Sequence, residues 1–355
     1  MFDKLVEKIK NGNELTLEDG VKLYDLDIFT LGELADSIRK EFHGKKTYFN
    51  INRHINPTNV CKDVCKFCAY SANRKNPNPY TMTHEKILDI VENSSKRGVK
   101  EIHIVSAHND EVGLDWYMDI FKKIKNRYPE LHIKALTAAE INFLAEEHNL
   151  SFDQIIDMMI ENGVDSIPGG GAEIFDEKVR DYICKGKVSS KDWLEIHRKW
   201  HKRGKRSNVT MLFGHIETRE NRIDHIIRIR ELQKETGGFN AFIPLVYQTQ
   251  NNYLNVKKSI TGQEILKTMA ISRIMLRNIS NIKAYWVTST INLALVAQEF
   301  GANDLDGTIE RESINSLAGA DSHNGLELQT FIDQIKNSGF QAIERDSLYN
   351  EIKEY

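Results

Sequence analysis

From about residue 47 onward, short apolar runs alternate with longer stretches in which apolar residues recur every three or four positions. Eight runs have strand character: 48–55, 100–105, 131–136, 164–168, 208–213, 241–246, 282–287 and 304–307. The stretches between them read as helices. Thr83 can cap one that carries Ile87, Ile90 and Val91 on a single face. Trp116, Ile120 and Ile124 mark a second, 139–162 a third, 193–200 a fourth and 221–236 a fifth. Thr261-x-x-Glu264 opens a sixth reaching about 278, and Leu293, Val296, Ala297 and Phe300 mark a seventh. Several of these end at a glycine, such as Gly237 and Gly301, the residue expected at a left-handed cap. In the first run Phe49, Ile51 and Ile55 fall on one face, and Asn50, Asn52, His54 and Asn56 on the other. A polar face there predicts a strand lining a cavity.

Eight strands alternating with helices predict a parallel sheet with right-handed crossovers. The architecture expected is α/β, a (β/α)8 barrel of TIM type, with its active site at the C-terminal strand ends. An open doubly wound sheet is the alternative, but no GxGxxG follows the first strand. Residues 1–45 read as an N-terminal helical extension, with Thr16-x-x-Asp19 as a capping box and Leu31, Leu34, Ala35 and Ile38 at helical spacing. The barrel would occupy 46–308, and 309–355 a C-terminal helical cover.

Across 355 residues, 48 basic side chains nearly balance 51 acidic ones, for a net charge of -3. That balance gives no reason to expect nucleic acid or an anionic membrane as partner. No apolar run has the length of a membrane span, and the first residues do not resemble a signal peptide. Four cysteines make no disulfide framework in so long a chain, and a cytoplasmic setting fits. Three of the four form Cys61-x3-Cys65-x2-Cys68, directly after the first strand. Soft thiolates suit an iron–sulfur cluster or zinc. Zinc would need a fourth ligand such as His54 or Cys184. Three inert cysteines are the bland alternative, though Lys62, Asp63 and Lys66 make the loop look solvated.

Unusual residues collect after the other strands: Ser106-Ala-His-Asn-Asp110, Thr137 with Glu140, Pro168-Gly-Gly-Gly-Ala-Glu173, and Gly214-His-Ile-Glu-Thr218. Three successive glycines let the backbone approach a ligand, and their N–H groups can cradle a carboxylate. Together with Arg53-His-Ile-Asn-Pro-Thr-Asn-Val-Cys61, Cys65-Lys-Phe-Cys68-Ala, 132–140, Glu235-Thr-Gly-Gly-Phe239 and Asp306-Gly-Thr308, these segments resemble one branch of the radical S-adenosylmethionine (radical SAM) family. That branch contains aminodeoxyfutalosine synthase, dehypoxanthine futalosine cyclase and the deazaflavin synthase subunits. The resemblance runs from about 45 to 320, and the residues around His54 and His215 favour the synthase of the futalosine route to menaquinone.

The resemblance implies a [4Fe-4S] cluster on Cys61, Cys65 and Cys68, with Phe67 as the usual aromatic and S-adenosylmethionine chelated at the open iron. One electron would cleave S-adenosylmethionine, and the 5′-deoxyadenosyl radical would add to 3-[(1-carboxyvinyl)oxy]benzoate. Ser106, Ala107, Thr137, Glu140, Gly169, Gly170, Gly171 and Glu173 are then candidate contacts to S-adenosylmethionine. Ser106-Ala107 depart from the glycine pair usual in the family. His54, His215 and Glu217 are candidates for substrate binding or proton handling, and Arg53, Arg74 and Lys134 for the substrate's carboxylates. The expected partners are that small molecule and a one-electron donor of flavodoxin or ferredoxin type, with a homodimer as the expected assembly. The sister cyclase and a zinc-stabilised binding module are the competing readings.

Overall fold

The computed structural model describes residues 2–257, 259–309, 313–320 and 325–355. Three helices come first: α1 (Phe2–Lys10), α2 (Leu17–Leu23) and α3 (Ile28–His43). Thr16 and Asp19 form the expected capping box at α2. Leu31, Leu34, Ala35 and Ile38 are all buried, so α3 docks by the stripe its sequence displays.

The predicted first strand is two, β1 (Lys46–Asn50) and β2 (Asn52–Ile55), broken at Ile51. The chain then runs α4 (His84–Lys96), β3 (Glu101–Ile104), α5 (Leu114–Arg127), β4 (His132–Ala135), α6 (Ala138–His148), α7 (Phe152–Glu161) and β5 (Ser166–Ile167). It continues α8 (Glu177–Ile183), α9 (Ser190–Lys202), β6 (Arg206–Phe213), α10 (Arg219–Thr236), β7 (Phe239–Val246), α11 (Gly262–Met275) and β8 (Asn281–Ile282). Strands β2 to β8 pair in sequence order, all parallel. After the short α12 (Trp286–Ser289) and α13 (Ile291–Val296), β9 (Asp304–Gly307) returns to the sheet. A parallel bridge joins Lys283 to Asp304, and β9 pairs with β1, whose chain runs on into β2. These pairings close a ring of eight strand positions, the expected TIM-type barrel.

The differences from expectation have local causes. Asn149 in the left-handed conformation and a capping box at Ser151 split the single helix expected over 139–162 into α6 and α7. The run expected as a strand to 287 leaves the sheet after Lys283 and turns helical at Trp286, whose indole N–H donates to Gly307 O at 2.9 Å. The C-terminal segment carries helices α14 (Ile314–Leu317) and α15 (Leu328–Asn337), and then two strands, β10 (Gln341–Arg345) and β11 (Glu351–Glu354). β10 lies parallel to β1 on the side away from β9.

The ring's apolar residues point outward to the helices. Ile102, Ile104, Ile133 and Ala135 are fully buried there. The register sets Asn52 beside Glu101 and Glu101 beside His132, and the next inward row runs His54, His103, Lys134 and Ser166. Barrels of this type usually fill these inner layers with Val, Ile and Leu. Here they are polar and ionic. No helix among the described residues is long and apolar enough to cross a membrane.

Candidate active site

A cavity of about 310 Å³ opens at the C-terminal strand ends and reaches down into the ring. Its rim holds Cys61, Cys65 and Cys68, in the loop that follows β2. All three are free thiols and partly exposed, whereas Cys184 is buried and off the cavity wall. Burial pushes the Cys184 thiol up to about 11. Several contacts fix the loop. Lys66 N–H donates to Ile183 O at 2.8 Å and Tyr253 N–H to Lys66 O at 2.7 Å. Asp63 pairs with His108 Nδ1 at 2.9 Å, and the His108 ring stacks on Phe143 with centroids 4.9 Å apart. The His108 backbone N–H lies 3.4 Å from Cys61 Sγ, a donor of the kind that stabilises a metal-bound thiolate.

Three thiols on one wall, with the fourth cysteine off it, fit a cubane cluster that keeps one iron open. A cubane meets its thiolates through separate irons, so they need not converge. Among the described residues no three His, Cys, Asp or Glu side chains converge as a single-ion site requires. Phe67 lines the cavity beside Lys187, whose ammonium sits 5.6 Å from the ring centroid and 2.8 Å from Glu173 Oε1.

The polar turns meet this loop across the cavity. Ser106, Ala107, Thr137, Glu140, Gly169, Gly170, Gly171 and Glu173 all line it. Glu140 is only 3% exposed, and its carboxylate is already engaged. Oε1 accepts from Ser106 N–H at 2.8 Å and Oε2 from Thr137 N–H at 2.7 Å. Burial raises the Glu140 carboxyl above its usual range, against the pull of those donors. Its geometry is that of a tie between two loops. The Ala107 carbonyl accepts from Asn109 N–H at 3.1 Å, so the pair that replaces two glycines has one of its carbonyls partly used.

The glycine turn is required by packing. A Cβ on Gly169 would sit 2.6 Å from Val209 Cα and 2.7 Å from Thr210 N, both β6 backbone. Gly171 has φ +85°, and a Cβ there would meet Ala139 Cβ at 2.9 Å. The carbonyls of the three glycines are taken by Thr210 Oγ1, Trp193 Nε1 and Arg180.

His54 lines the cavity, with Nε2 3.3 Å from His103 Nδ1. His215 and Glu217 do not line it, and their side chains are fully buried behind the wall. Glu217 accepts from Gly214 N–H at 2.7 Å, His215 N–H at 2.8 Å and Arg222 Nε at 2.7 Å, so it shapes the turn. Of the expected carboxylate partners Lys134 reaches the cavity, while Arg53 and Arg74 do not line it. Sequence reasoning did not single out Glu101, His103, Lys187 or Lys283. The signal for the strand residues was present: Glu101 and His103 alternate with Ile102 and Ile104, and in a helix-covered parallel sheet the polar phase faces inward.

A family model described as "Radical SAM superfamily" matches residues 55–229. A second, "CofH/MqnC C-terminal region", matches 236–354. The aminodeoxyfutalosine synthase of Thermus thermophilus is 39% identical, aligned over 98% of this chain and 95% of its own length. That of Streptomyces coelicolor is 36% identical over 99% and 94%. The 5-amino-6-(D-ribitylamino)uracil–L-tyrosine 4-hydroxyphenyl transferase of Methanococcoides burtonii is 35% identical over 99% of both. Among solved structures, methylornithine synthase matches with a TM-score of 0.76 at 16% identity, over 95% of this chain and 96% of its own. The last likeness is one of fold; the first three run through every segment that builds the cavity. The chain belongs to the radical SAM family, as a transferase-type enzyme of the group that holds the aminodeoxyfutalosine synthases, and its cofactors are a [4Fe-4S] cluster and S-adenosylmethionine.

Proposed function

We propose that this enzyme is an aminodeoxyfutalosine synthase acting in the cytoplasm. It would join the 5′-deoxyadenosyl group of S-adenosylmethionine to 3-[(1-carboxyvinyl)oxy]benzoate, with aryl migration and loss of carbon dioxide, giving 6-amino-6-deoxyfutalosine. One observation carries the reading beyond the relatives' names. A single cavity runs from the cysteine loop to a polar barrel interior, so a donor at the rim and a small anionic acceptor below it share one cleft. A shared cleft of this kind sets the two reactants side by side.

Cys61, Cys65 and Cys68 would hold the cluster, which when bound supplies one electron, drawn from a flavodoxin- or ferredoxin-type donor, to the sulfonium of S-adenosylmethionine. The protein's own part is positioning. Glu140 locks the Ser106 loop to the cap of α6. The Gly169–171 turn allows β5 and β6 to meet closely at the cavity wall. The Lys187–Glu173 pair closes the wall beside Phe67.

The test is an anaerobic assay of iron-reconstituted protein with dithionite, S-adenosylmethionine and the benzoate, read by mass spectrometry. An adduct joining the adenosyl and benzoate parts, absent in Cys65→Ala, supports the reading. Methionine and free 5′-deoxyadenosine without adduct point to the cyclase. The methanogen relatives favour a second reading, tested by supplying 5-amino-6-(D-ribitylamino)uracil and L-tyrosine instead. A 4-hydroxyphenyl adduct there would replace the first reading.

A further inference from the structure

The floor of the cavity is made of two ion pairs. Lys134 lies 2.6 Å from Glu101 Oε2 and Lys283 lies 3.0 Å from Asp306 Oδ2. All four residues line the cavity, and the two lysines are 6% and 2% exposed. They come from β3, β4, β9 and the end of β8, and no two of them are neighbours in sequence.

The pairs are asymmetric in hydrogen bonding. The acids are tied to the barrel wall: Glu101 also accepts from Ser347 Oγ at 2.5 Å, and Asp306 from Asn52 Nδ2 at 3.2 Å. Each ammonium carries three donors. Glu101 takes one from Lys134, and Asp306 takes one from Lys283, with Asp304 3.9 Å away. Among the described residues, donors are therefore left over at the floor. In the same layer His103 Nε2 is buried and has no hydrogen-bond partner among the described residues. Burial and then the nearby Lys283 charge pull the Lys134 ammonium below its usual range, and Glu101 holds it up. Buried ion pairs are a poor way to stabilise a barrel that aliphatic layers would fill. Two ammoniums fixed by wall-bound acids, with donors to spare, instead make a rigid receptor for a carboxylate.

We propose that Lys134 and Lys283 form the site that seats the acceptor's aryl carboxylate at the cavity floor. This rests on the reading of the acceptor as an enol-ether benzoate. The assignment follows from the reaction: the enol carboxylate leaves as carbon dioxide, and clamping it in an ion pair would oppose that loss. The benzoate carboxylate persists into the product. Anchored below, it leaves the alkene facing the adenosyl donor at the rim. The site selects acceptors that are anionic at the aryl end.

The test uses Lys134→Met, Lys283→Met, Glu101→Gln and the pair Glu101→Gln/Lys134→Met, all as cluster-loaded protein. KM and kcat are measured with 3-[(1-carboxyvinyl)oxy]benzoate and with its 3-carboxamide analogue. Cluster absorption and acceptor-free cleavage of S-adenosylmethionine report folding. Each lysine variant should raise KM for the benzoate about ten- to a hundredfold and change KM for the amide little. Glu101→Gln should move the other way, lowering KM for the benzoate, because it removes the carboxylate charge that competes with the acceptor for Lys134. A purely structural pair predicts equal damage from either partner, repaired in the double variant. Equal damage, or the same penalty for benzoate and amide, overturns the proposal. Calorimetric titration with 3-hydroxybenzoate needs no turnover and separates the two readings. Binding to wild type that is lost in both lysine variants supports the floor site even where no adduct forms. Binding that persists in both variants overturns it.

Discussion

Replacing Glu140 by Gln tests whether the rim is held by the contacts described. The wild-type carboxylate accepts two backbone N–H groups, Ser106 at 2.8 Å and Thr137 at 2.7 Å, in a site 3% exposed. Glutamine offers one oxygen and one NH2, so in either orientation a donor faces a donor. One charge-assisted hydrogen bond is lost, worth about 1.5–3 kcal/mol, and a buried N–H is stranded at about 1–3 kcal/mol. Partial relaxation leaves an expected loss of about 2–5 kcal/mol. For a chain of this size that lowers Tm by about 1.3 °C per kcal/mol, or about 3–7 °C in all. Ser106 and Ala107 line the cavity, so KM for S-adenosylmethionine should rise as well. Thermal unfolding of wild type and variant, both with cluster, reads the first effect, and initial rates read the second. A Tm within 1 °C of wild type would falsify the claim that this carboxylate ties the two loops.

Gly169→Ala should destabilise by about 1–3 kcal/mol or prevent accumulation of soluble protein, since the new methyl meets β6 backbone that cannot swing aside; unchanged Tm would show that the two strands can part. Glu217→Gln should lower Tm, because three donors converge on that carboxylate, while KM for S-adenosylmethionine stays within twofold; a large KM change at unchanged Tm would return Glu217 to the site. Acid should destabilise the fold early. Burial lowers His201 and His225 to about 3, and Thr210 O, which pulls His225 the other way, does not prevent it. Unfolded, each takes up a proton below pH 6.5, so stability falls as pH falls from 6.5 toward 3. At pH 5 the loss is about 2 kcal/mol per histidine. A Tm that is flat between pH 7 and 5 would refute the assignment.

The amino-acid sequence alone determined what depends on near neighbours. The three thiols belong to one loop, and their spacing is a property of that loop wherever it sits. Helix caps at Thr16, Thr83 and Thr261, and the buried stripe of α3, are equally local. The order of eight strands was legible because right-handed crossovers leave a parallel ring few topologies. Tertiary structure decided what depends on register between distant segments. Glu140 has the look of a ligand contact in the sequence, yet its second partner, Ser106, comes from another strand's loop. His215 and Glu217 fall after a strand end like the others, but the turn folds them behind the wall. The strands β10 and β11 form only because β1 offers a free edge. The cavity floor is the clearest case. Glu101, Lys134, Lys283 and Asp306 span more than half the chain, and only closure of the ring between Lys283 and Asp304 brings their charges together. Pattern along a chain sets which face of a strand is polar; which polar groups then meet is fixed by the pairing of strands.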